Sequence, residues 1–264
     1  MNAWTASRIR TTKGRQKLAC LTAYDFTTAR LVDESGAPLI LVGDSLAMTV
    51  LGYDNTLPVT MDEMLHHVKA VTRGVKQALV VADMPFLSFQ ISVEDAIRNA
   101  GRFLKEARAG AVKIEGGATR ATTVRALTDN GIPVLGHIGL TPQSINAMGG
   151  YKVQGRRPEE AQRLLDDAKA LEGAGIFALV LECMPPALAD EITRAVQVPT
   201  IGIGAGPHCD GQILVTPDLL GMHGSVHPKF VKEYAALGTA MQQAFQAYRD
   251  DVENGRFPTA EHCY

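Results

Sequence analysis

The sequence predicts an α/β fold, specifically a (β/α)8 TIM barrel with additional C-terminal helices. Short apolar runs rich in Val, Ile and Leu alternate with longer segments of helical periodicity along the 264 residues. About eight such units fit a closed barrel of roughly 250 residues. The runs are apolar at almost every position, which is typical of parallel strands covered by helices. A doubly wound open sheet is the alternative fold.

The candidate strands are all too short for helices and are rich in β-branched residues or leucine. In chain order they are Leu18–Thr22, Leu39–Gly43, Ala78–Ala82, Ala111–Ile114, Val134–Ile138, Ala178–Leu181, Thr200–Ile203 and Gln212–Val215.

Three intervening segments have clear amphipathic helical spacing, namely Met61–Val75, Val93–Ala109 and Ala161–Gly173. Thr60 and Ser92 precede the first two as candidate N-caps, and Glu63 stands at the capping-box position after Thr60. Gly173 suits a left-handed position at the end of the third helix.

No Pro-rich, Ser-rich or low-complexity linker interrupts the pattern, so we expect one domain over residues 1–264. A short N-terminal arm (1–17) carries five basic residues and no acid, and we interpret it as a surface arm. A helical tail (about 228–264), with one or two helices over Pro228–Glu253, follows the barrel.

Composition argues against several classes of protein. The chain has 26 Lys and Arg residues against 28 Asp and Glu, a net charge of −2, so it lacks the basic character of a nucleic-acid binder. No apolar run approaches the roughly 20 residues of a membrane-spanning helix. The four cysteines form no C-x-x-C pair, which argues against disulfides and structural zinc and favours the cytoplasm.

Polar side chains stand at the carboxyl ends of five predicted strands, where barrels carry their active sites. They are Asp44, Ser45, Asp83, Lys113, Glu115, His137 and Glu182. Several carboxylates around one barrel mouth repel one another unless a cation neutralises them. Oxygen ligands without thiolates favour Mg²⁺, or Mn²⁺, over zinc, so we expect a divalent cation there.

Each of these residues also has a structural interpretation. A single Asp after a strand often caps a helix or forms a turn. Lys113 and Glu115 alternate with Ile114, so both face one side of the strand, and we expect that side to be the barrel interior rather than a solvated surface. His137 is open between substrate contact, a position behind the contacting residues, and a buried structural role.

Two glycine-rich stretches are less informative. Gly202–Gly206 follows the seventh strand, where many barrels bind phosphate, but it equally suits a tight turn. Gly149–Gly155 lies in the long connection after the fifth strand and is either a mobile lid or an ordinary surface loop.

Nine collinear blocks from about Leu18 to Lys232 resemble the ketopantoate hydroxymethyltransferase family. The blocks are Thr22–Asp25, Leu41–Leu46, Thr56–Thr60, Asp83–Phe86, Val112–Gly117, Gly136–Gln143, Gly149–Gly155, Leu181–Cys183 and Gly202–Gly211. Because they occur in the family's order, the resemblance is specific.

The resemblance implies a phosphoenolpyruvate/pyruvate-superfamily barrel that transfers a hydroxymethyl group from 5,10-methylenetetrahydrofolate to 3-methyl-2-oxobutanoate, forming 2-dehydropantoate. It implies a Mg-stabilised enolate, with Asp44, Asp83 and Glu115 as metal ligands. It also implies substrate binding by Asp44, Ser45, Asp83 and Lys113, Glu182 as the catalytic base, and self-association as a homodecamer.

Two other functions remain open at this stage. A metal-dependent C–C lyase or mutase of the same superfamily would use related chemistry, but its catalytic cysteine loop is missing after Glu115, where Gly116 and Gly117 follow. A non-catalytic metabolite-binding barrel would be expected to lack the charged strand ends that this chain retains.

Overall fold

The computed structural model describes residues 3–222 and 228–264, and within them eight parallel strands close into a barrel. Each strand pairs with the next, and the last pairs with the first. The strands are β1 Leu18–Thr22, β2 Leu39–Val42, β3 Leu79–Asp83, β4 Ala111–Glu115, β5 Val134–Gly139, β6 Ala178–Glu182, β7 Thr200–Ile203 and β8 Gly211–Leu214. The predicted TIM barrel is confirmed, and the open-sheet alternative is wrong.

Charged residues extend three strands beyond their predicted ends. Asp83 pairs in register with Lys113 on β4, and Glu182 pairs with Ile203 on β7. Glu115 likewise belongs to β4 and is paired with β5. The strands continue past the apolar runs because parallel pairing depends on backbone hydrogen bonds, which a charged residue also forms.

Helices connect the strands and follow the barrel. They are α1 Ala6–Arg10, α2 Phe26–Glu34, α3 Leu46–Thr49, α4 Met61–Gly74, α5 Val93–Ala107, α6 Ala121–Asp129, α7 Ile145–Met148, α8 Pro158–Gly173, α9 Pro186–Ala195, α10 Thr216–Leu219 and α11 Leu237–Glu253. Short 3-10 turns occur at Ala118–Arg120, Pro142–Ser144 and Ala260–His262.

The predicted N-terminal caps of α4 and α5 are present. Thr60 and Glu63 form a reciprocal capping box, and the Ser92 hydroxyl accepts the Asp95 N–H at 3.1 Å. The prediction for Gly173 is wrong, because α8 runs through it and the left-handed residue after the helix is Gly175, with φ 100°.

The barrel interior is filled below its mouth by side chains from alternate strand positions, such as Leu39, Val81 and Leu135. Ile9 of α1 joins this cluster and is fully buried. The surface-arm interpretation is therefore wrong for this residue, which contributes an apolar side chain to the core. Met1 and Asn2, the first residues of the predicted arm, lie outside the described residues.

The chain divides into two compact units, Met1–Val215 and Thr216–Tyr264. The first contains the barrel, and the second contains α10 and α11. The expectation of a single domain with a tail from about residue 228 stays a prediction. No helix among residues 3–222 and 228–264 is both long and apolar enough to span a membrane.

Candidate active site

A cavity of about 130 Å³ opens at the carboxyl ends of the barrel strands. Its lining includes every site residue predicted from the sequence, namely Asp44, Ser45, Asp83, Lys113, Glu115, His137 and Glu182. The closed barrel explains this placement, because residues at the ends of successive parallel strands meet around one mouth.

Asp44 and Ser45 lie in the turn between β2 and α3. The Asp44 backbone N–H donates to Asp83 Oδ2 at 3.0 Å, which joins the ends of two neighbouring strands. The Ser45 hydroxyl lies 2.8 Å from the Tyr24 hydroxyl and does not cap α3 with its side chain. Ser45 is thus held at the mouth of the barrel by a side-chain contact.

Lys113 lies at the centre of the charged residues and is buried. Its Nζ lies 3.0 Å from Asp83 Oδ1 and 3.2 Å from Glu115 Oε1. It also lies 3.2 Å from His137 Nδ1. Lys113 therefore links the ends of β3, β4 and β5.

His137 lies between two carboxylates. Its Nδ1 is 3.4 Å from Glu115 Oε1, and its Nε2 is 3.1 Å from Glu182 Oε2. The second contact is not aligned as a hydrogen bond, so the buried Nε2 has no hydrogen-bond partner. The imidazole thus sits within reach of Glu182 with a polar atom still to be satisfied.

Glu182 is the most accessible acid of the group, with 16% of its side chain exposed against 1% for Asp83. Its backbone is closely held, because the Leu140 N–H donates to its carbonyl oxygen at 2.9 Å. Gly139, with φ 99°, permits this approach, since a Cβ at that position would collide with the same carbonyl. Glu182 therefore presents its carboxylate to the cavity from a fixed strand end.

Gln143 is a site residue that strand-end reasoning missed. Its Nε2 donates to Asp44 Oδ2 at 3.0 Å and to the Met84 carbonyl at 2.9 Å. Its backbone N–H donates to Glu115 Oε2 at 3.1 Å. The only signal in the sequence was its place after Thr141 and Pro142 in a family-like block, because it lies in a 3-10 turn beyond the strand.

The pKa values of the buried acids shift in opposite directions, because burial and mutual repulsion raise them while neighbouring Lys113 and His137 lower them. Burial, and then repulsion from Asp83 and Glu115, raises the pKa of Asp44 well above its ordinary value. Burial also raises the pKa of Asp83, although Lys113 opposes that shift. Burial acts on Glu115 too, but the Lys113 charge and the His137 contact outweigh it and lower the pKa of Glu115 to about 2.

The two bases are shifted towards their protonated forms. Burial opposes the charge on Lys113, but the attraction of Asp83, Glu115 and Asp44 outweighs it and raises the Lys113 pKa. Burial and Lys113 likewise disfavour protonated His137, yet its contacts with Glu115 and Glu182 raise its pKa to about 9. The site therefore already uses its available cations to offset its acids.

The donor set suits a divalent cation held by few protein ligands. Four carboxylates and one lysine line the cavity, and the buried Asp83 Oδ1 has no hydrogen-bond partner because its contact with Lys113 is poorly aligned. Among the described residues, no three His, Cys, Asp or Glu side chains enclose a metal position. Mg²⁺ often uses only one or two carboxylates and fills its other positions with water and substrate, so Asp44 and Asp83 fit it.

The glycine-rich stretch Gly149–Gly155 contributes to the lining of the cavity. Tyr151 lines the mouth together with Met48, and the Tyr151 hydroxyl lies 3.6 Å from Met48 Sδ. Nearby, the Gln154 N–H donates to the Cys183 carbonyl at 2.8 Å, which attaches the segment beside Glu182. Whether Gly149–Gly155 moves as a lid stays a prediction.

A family model described as ketopantoate hydroxymethyltransferase matches residues 3–260. A 3-methyl-2-oxobutanoate hydroxymethyltransferase of Clostridium novyi (strain NT) is 59% identical over 249 residues, covering 94% of this chain and 90% of the relative. Its counterpart from Syntrophobacter fumaroxidans (strain DSM 10017 / MPOB) is 56% identical over 261 residues, covering 99% and 93%.

Solved structures show the same fold at much lower identity. A phosphonopyruvate hydrolase complex with oxalate and Mg²⁺ has a TM-score of 0.63 at 13% identity, covering 97% of this chain and 93% of the other. A 2,3-dimethylmalate lyase, described as a PEP mutase/isocitrate lyase superfamily member, has a TM-score of 0.60 at 17% identity, covering 98% and 91%. With the family match spanning almost the whole sequence, this chain belongs to the ketopantoate hydroxymethyltransferase family.

Proposed function

We propose that this cavity performs the family's reaction, transfer of a hydroxymethyl group from 5,10-methylenetetrahydrofolate to 3-methyl-2-oxobutanoate, with Glu182 as the base. The observation that supports this proposal is the arrangement of the acids around the barrel mouth. Asp44 and Asp83 form a buried acid pair beside Lys113, whereas Glu182 is more accessible and lies beyond His137. One set of acids is suited to holding a cation, and the other acid is suited to moving a proton.

We assign the cation site to Asp44 and Asp83. Mg²⁺, or Mn²⁺, bound there would polarise the 2-oxo group and stabilise negative charge that develops on it. Glu115 is the third predicted ligand, but its Oε1 already faces Lys113 and His137, and its Oε2 accepts the Gln143 N–H. Direct ligation by Glu115 therefore requires it to exchange one of these contacts.

The remaining polar groups bind the substrate's head. Lys113 supplies a buried ammonium for the carboxylate of the 2-oxo acid, and Ser45 supplies a hydroxyl held by Tyr24. Asp44 and Asp83 contribute to substrate binding through the cation that they hold. These contacts fix the acid so that C3 faces Glu182.

Glu182 then removes the C3 proton, and the electron pair of that C–H bond moves towards the 2-oxo oxygen. C3 forms the new C–C bond to the one-carbon unit of the folate, whose bonds to nitrogen break. The carbon arrives as a methylene group and ends as hydroxymethyl, so the overall reaction consumes one water. His137, 3.1 Å from Glu182 Oε2, positions the carboxylate for this transfer.

Proton exchange without folate tests the base. Incubating 3-methyl-2-oxobutanoate with Mg²⁺ and the parent chain in deuterated water should replace the C3 proton, as followed by NMR. We expect Glu182→Gln to lose exchange by at least ~100-fold. Glu159→Gln, an exposed glutamate at the start of α8, is the control. Exchange at the parent rate in Glu182→Gln would overturn the assignment.

Calorimetric titration with Mg²⁺ tests the cation site independently of catalysis. We expect Asp83→Ala to weaken Mg²⁺ binding by at least ~10-fold, because half of the buried acid pair is lost. Asp62→Ala, at the exposed start of α4, should bind as the parent does. Unchanged affinity in Asp83→Ala would remove this residue from the ligand set.

We also propose that the chain self-associates, in a homodecamer, and that it works in the cytoplasm. Exposed large apolar side chains on α11, including Phe245 and Tyr248, support association. The described cysteines, Cys20, Cys183, Cys209 and Cys263, are all unpaired, which is consistent with a reducing compartment.

A further inference from the structure

The cavity has two chemically different sides. The ends of β2 to β6 contribute the charged and hydroxyl groups described above. The opposite side carries only aliphatic groups, which we term the apolar arc: Val180 of β6, Ile203 of β7, Ile213 of β8, and Val215 directly after β8. The polar groups assigned above to the substrate's head do not account for this second side.

The apolar arc is part of the rigid barrel. Val180 and Ile213 are 3% and 4% exposed, and both belong to the interior cluster of the barrel, against which Ile203 also packs. Ile203 pairs in register with Glu182 on the neighbouring strand. The arc therefore begins beside the carboxylate assigned as the base.

No balancing cation lies on this side. Among the cavity-lining residues of the described chain, Lys113 is the only Lys or Arg, and it is already paired with Asp83 and Glu115 on the other side. A negatively charged group placed against Val180, Ile203 and Ile213 would lose water without gaining a partner.

We propose that the apolar arc binds the alkyl substituent at C3 of the 2-oxo acid, limits its size and rejects a second carboxylate. This inference rests on the proposed function, because that function fixes the acid's head on the polar side. The Glu182 carboxylate then lies at the boundary between the two sides. C3 faces the base there while its methyl groups point into the arc.

The size of the substrate's alkyl group should strongly affect the rate of C3 proton removal if that group packs against the apolar arc. One methylene in an apolar pocket changes discrimination by roughly 10- to 200-fold. Truncating Ile203 or Ile213 to Ala should therefore shift preference from 3-methyl-2-oxobutanoate towards 3-methyl-2-oxopentanoate. Ile203 is the more informative position, because its register partner is Glu182.

The experiment measures C3 hydrogen exchange by NMR, without folate, for a series of 2-oxo acids. For Ile203→Ala and Ile213→Ala, we expect the ratio of kcat/KM for 3-methyl-2-oxopentanoate to that for 3-methyl-2-oxobutanoate to rise at least ~10-fold over the parent. Ile201→Ala is the matched control, since Ile201 is fully buried on the same strand but does not line the cavity. Its ratio should stay at the parent value.

Charge is tested with two acids of equal chain length, 2-oxopentanoate and 2-oxoglutarate. The parent should exchange 2-oxopentanoate at least ~100-fold faster than 2-oxoglutarate, because only 2-oxoglutarate places a carboxylate against the arc.

For the size test, Ile203→Val replaces Ile203→Ala if thermal melting shows that the latter does not fold. A smaller rise in the ratio of the two kcat/KM values is then expected.

The two possible failures are distinguishable. A parent chain that neither exchanges nor transfers onto any 2-oxo acid would contradict the proposed function. An active parent whose substrate ratio is unchanged in folded Ile203 and Ile213 variants would overturn the role of the apolar arc alone. Equal exchange of 2-oxoglutarate and 2-oxopentanoate would also overturn it.

Discussion

The Gln143 amide holds one member of the buried acid pair in place. Its Nε2 bonds Asp44 and the Met84 carbonyl, while its Oε1 accepts from Gln90 Nε2 at 3.2 Å. Gln143 is itself only 5% exposed, so water has little access to replace these bonds. Its donors orient Asp44 without supplying charge to the site.

We expect Gln143→Leu to weaken Mg²⁺ binding by about 10- to 100-fold, the usual cost of losing a group that orients a metal ligand. The substitution removes both donor bonds of Nε2 but retains the backbone bond to Glu115. Calorimetric titration measures the affinity for Mg²⁺. Measuring kcat across Mg²⁺ concentrations shows whether saturation with the ion restores turnover.

Gln90→Leu is the matched control for this prediction. It removes the donor to Gln143 Oε1 but leaves the bonds to Asp44 and Met84 in place. Its Mg²⁺ affinity should therefore lie closer to that of the parent. If Gln143→Leu bound Mg²⁺ as tightly as the parent, Gln143 would have no positioning role.

Strand-end reasoning found the charged residues but not Gln143, and the reason is geometric. Three of the acids are the last residues of their strands, namely Asp83, Glu115 and Glu182. The position of each therefore follows from the end of an apolar run. Gln143 acts from a turn whose path depends on tertiary packing. A neutral side chain in such a turn gives no local pattern that would distinguish it from a surface residue.

At the scale of elements, Asp210 joins the N-terminal arm to β7. Its Oδ2 lies 2.9 Å from Lys13 Nζ and accepts the Thr200 N–H at 2.9 Å. Its Oδ1 accepts the Gly14 N–H at 3.2 Å. Burial acts against the charged form, but these contacts outweigh it and lower the pKa of Asp210 below its ordinary value.

Asp210→Asn should destabilise the chain by about 1–3 kcal/mol at neutral pH, because a charged acceptor of several bonds becomes neutral. The depressed folded-state pKa means that ionised Asp210 stabilises the fold above the unfolded-state pKa, near 4. This contribution is lost as pH falls through the lower folded-state value. The difference in the free energy of unfolding between the parent and Asp210→Asn should therefore shrink below about pH 4.

Urea unfolding across pH 3 to 7 measures this difference. Asp190→Asn is the control, since Asp190 makes a surface pair with Arg194 one turn along α9 and should change stability by no more than about 1 kcal/mol. A difference for Asp210→Asn that did not vary with pH would contradict the electrostatic explanation.

The capping box of α4 gives a second prediction for elements. Thr60→Ala removes the hydroxyl that accepts the Glu63 N–H, and we expect a loss of about 0.5–2 kcal/mol in urea unfolding. Thr72→Ala, near the end of the same helix, removes only a 3.3 Å bond to the Lys69 carbonyl and should cost less. Equal losses would show that the cap adds nothing specific.

Helix caps were predictable because their signals are local. Thr60 and Ser92 begin α4 and α5 as expected. The end of α5 was not predictable from the sequence. The helix stops at Ala107, and Arg108 after it takes a left-handed conformation at φ 58°. A non-glycine residue seldom takes that conformation, so the sequence contained no signal for it.

At the scale of the whole molecule, one order of residues along the strands that carry the acids accounts for both the core and the charged side of the site. In β3 and β6 the inward positions are aliphatic deep in the barrel, as at Leu79 and Val81, and become charged at the last position, Asp83 or Glu182. This order made the barrel predictable from apolar runs and the site predictable from what ends them. Ile9 escaped prediction because its burial depends on a tertiary contact from a basic segment.

The second compact unit presents an apolar stripe along α11. Leu237, Met241, Phe245, Tyr248 and Val252 follow one another at spacings of four, four, three and four residues, which places them on one side of the helix. None of the residues of α11 is buried, and 64% of Phe245 is exposed. A stripe of this kind is typical of a surface that packs against another chain.

We therefore expect the chain to form a large assembly that depends on this stripe. Light scattering should give a parent mass of several times 28.3 kDa, with a decamer near ~280 kDa. Replacing both Met241 and Phe245 with Glu puts two charges into the contact and should lower the mass. Gln243→Glu with Ala247→Glu adds charge on the opposite side of the helix and should leave the mass unchanged. A double Met241 and Phe245 variant with the parent mass would show that the stripe is not a contact between subunits.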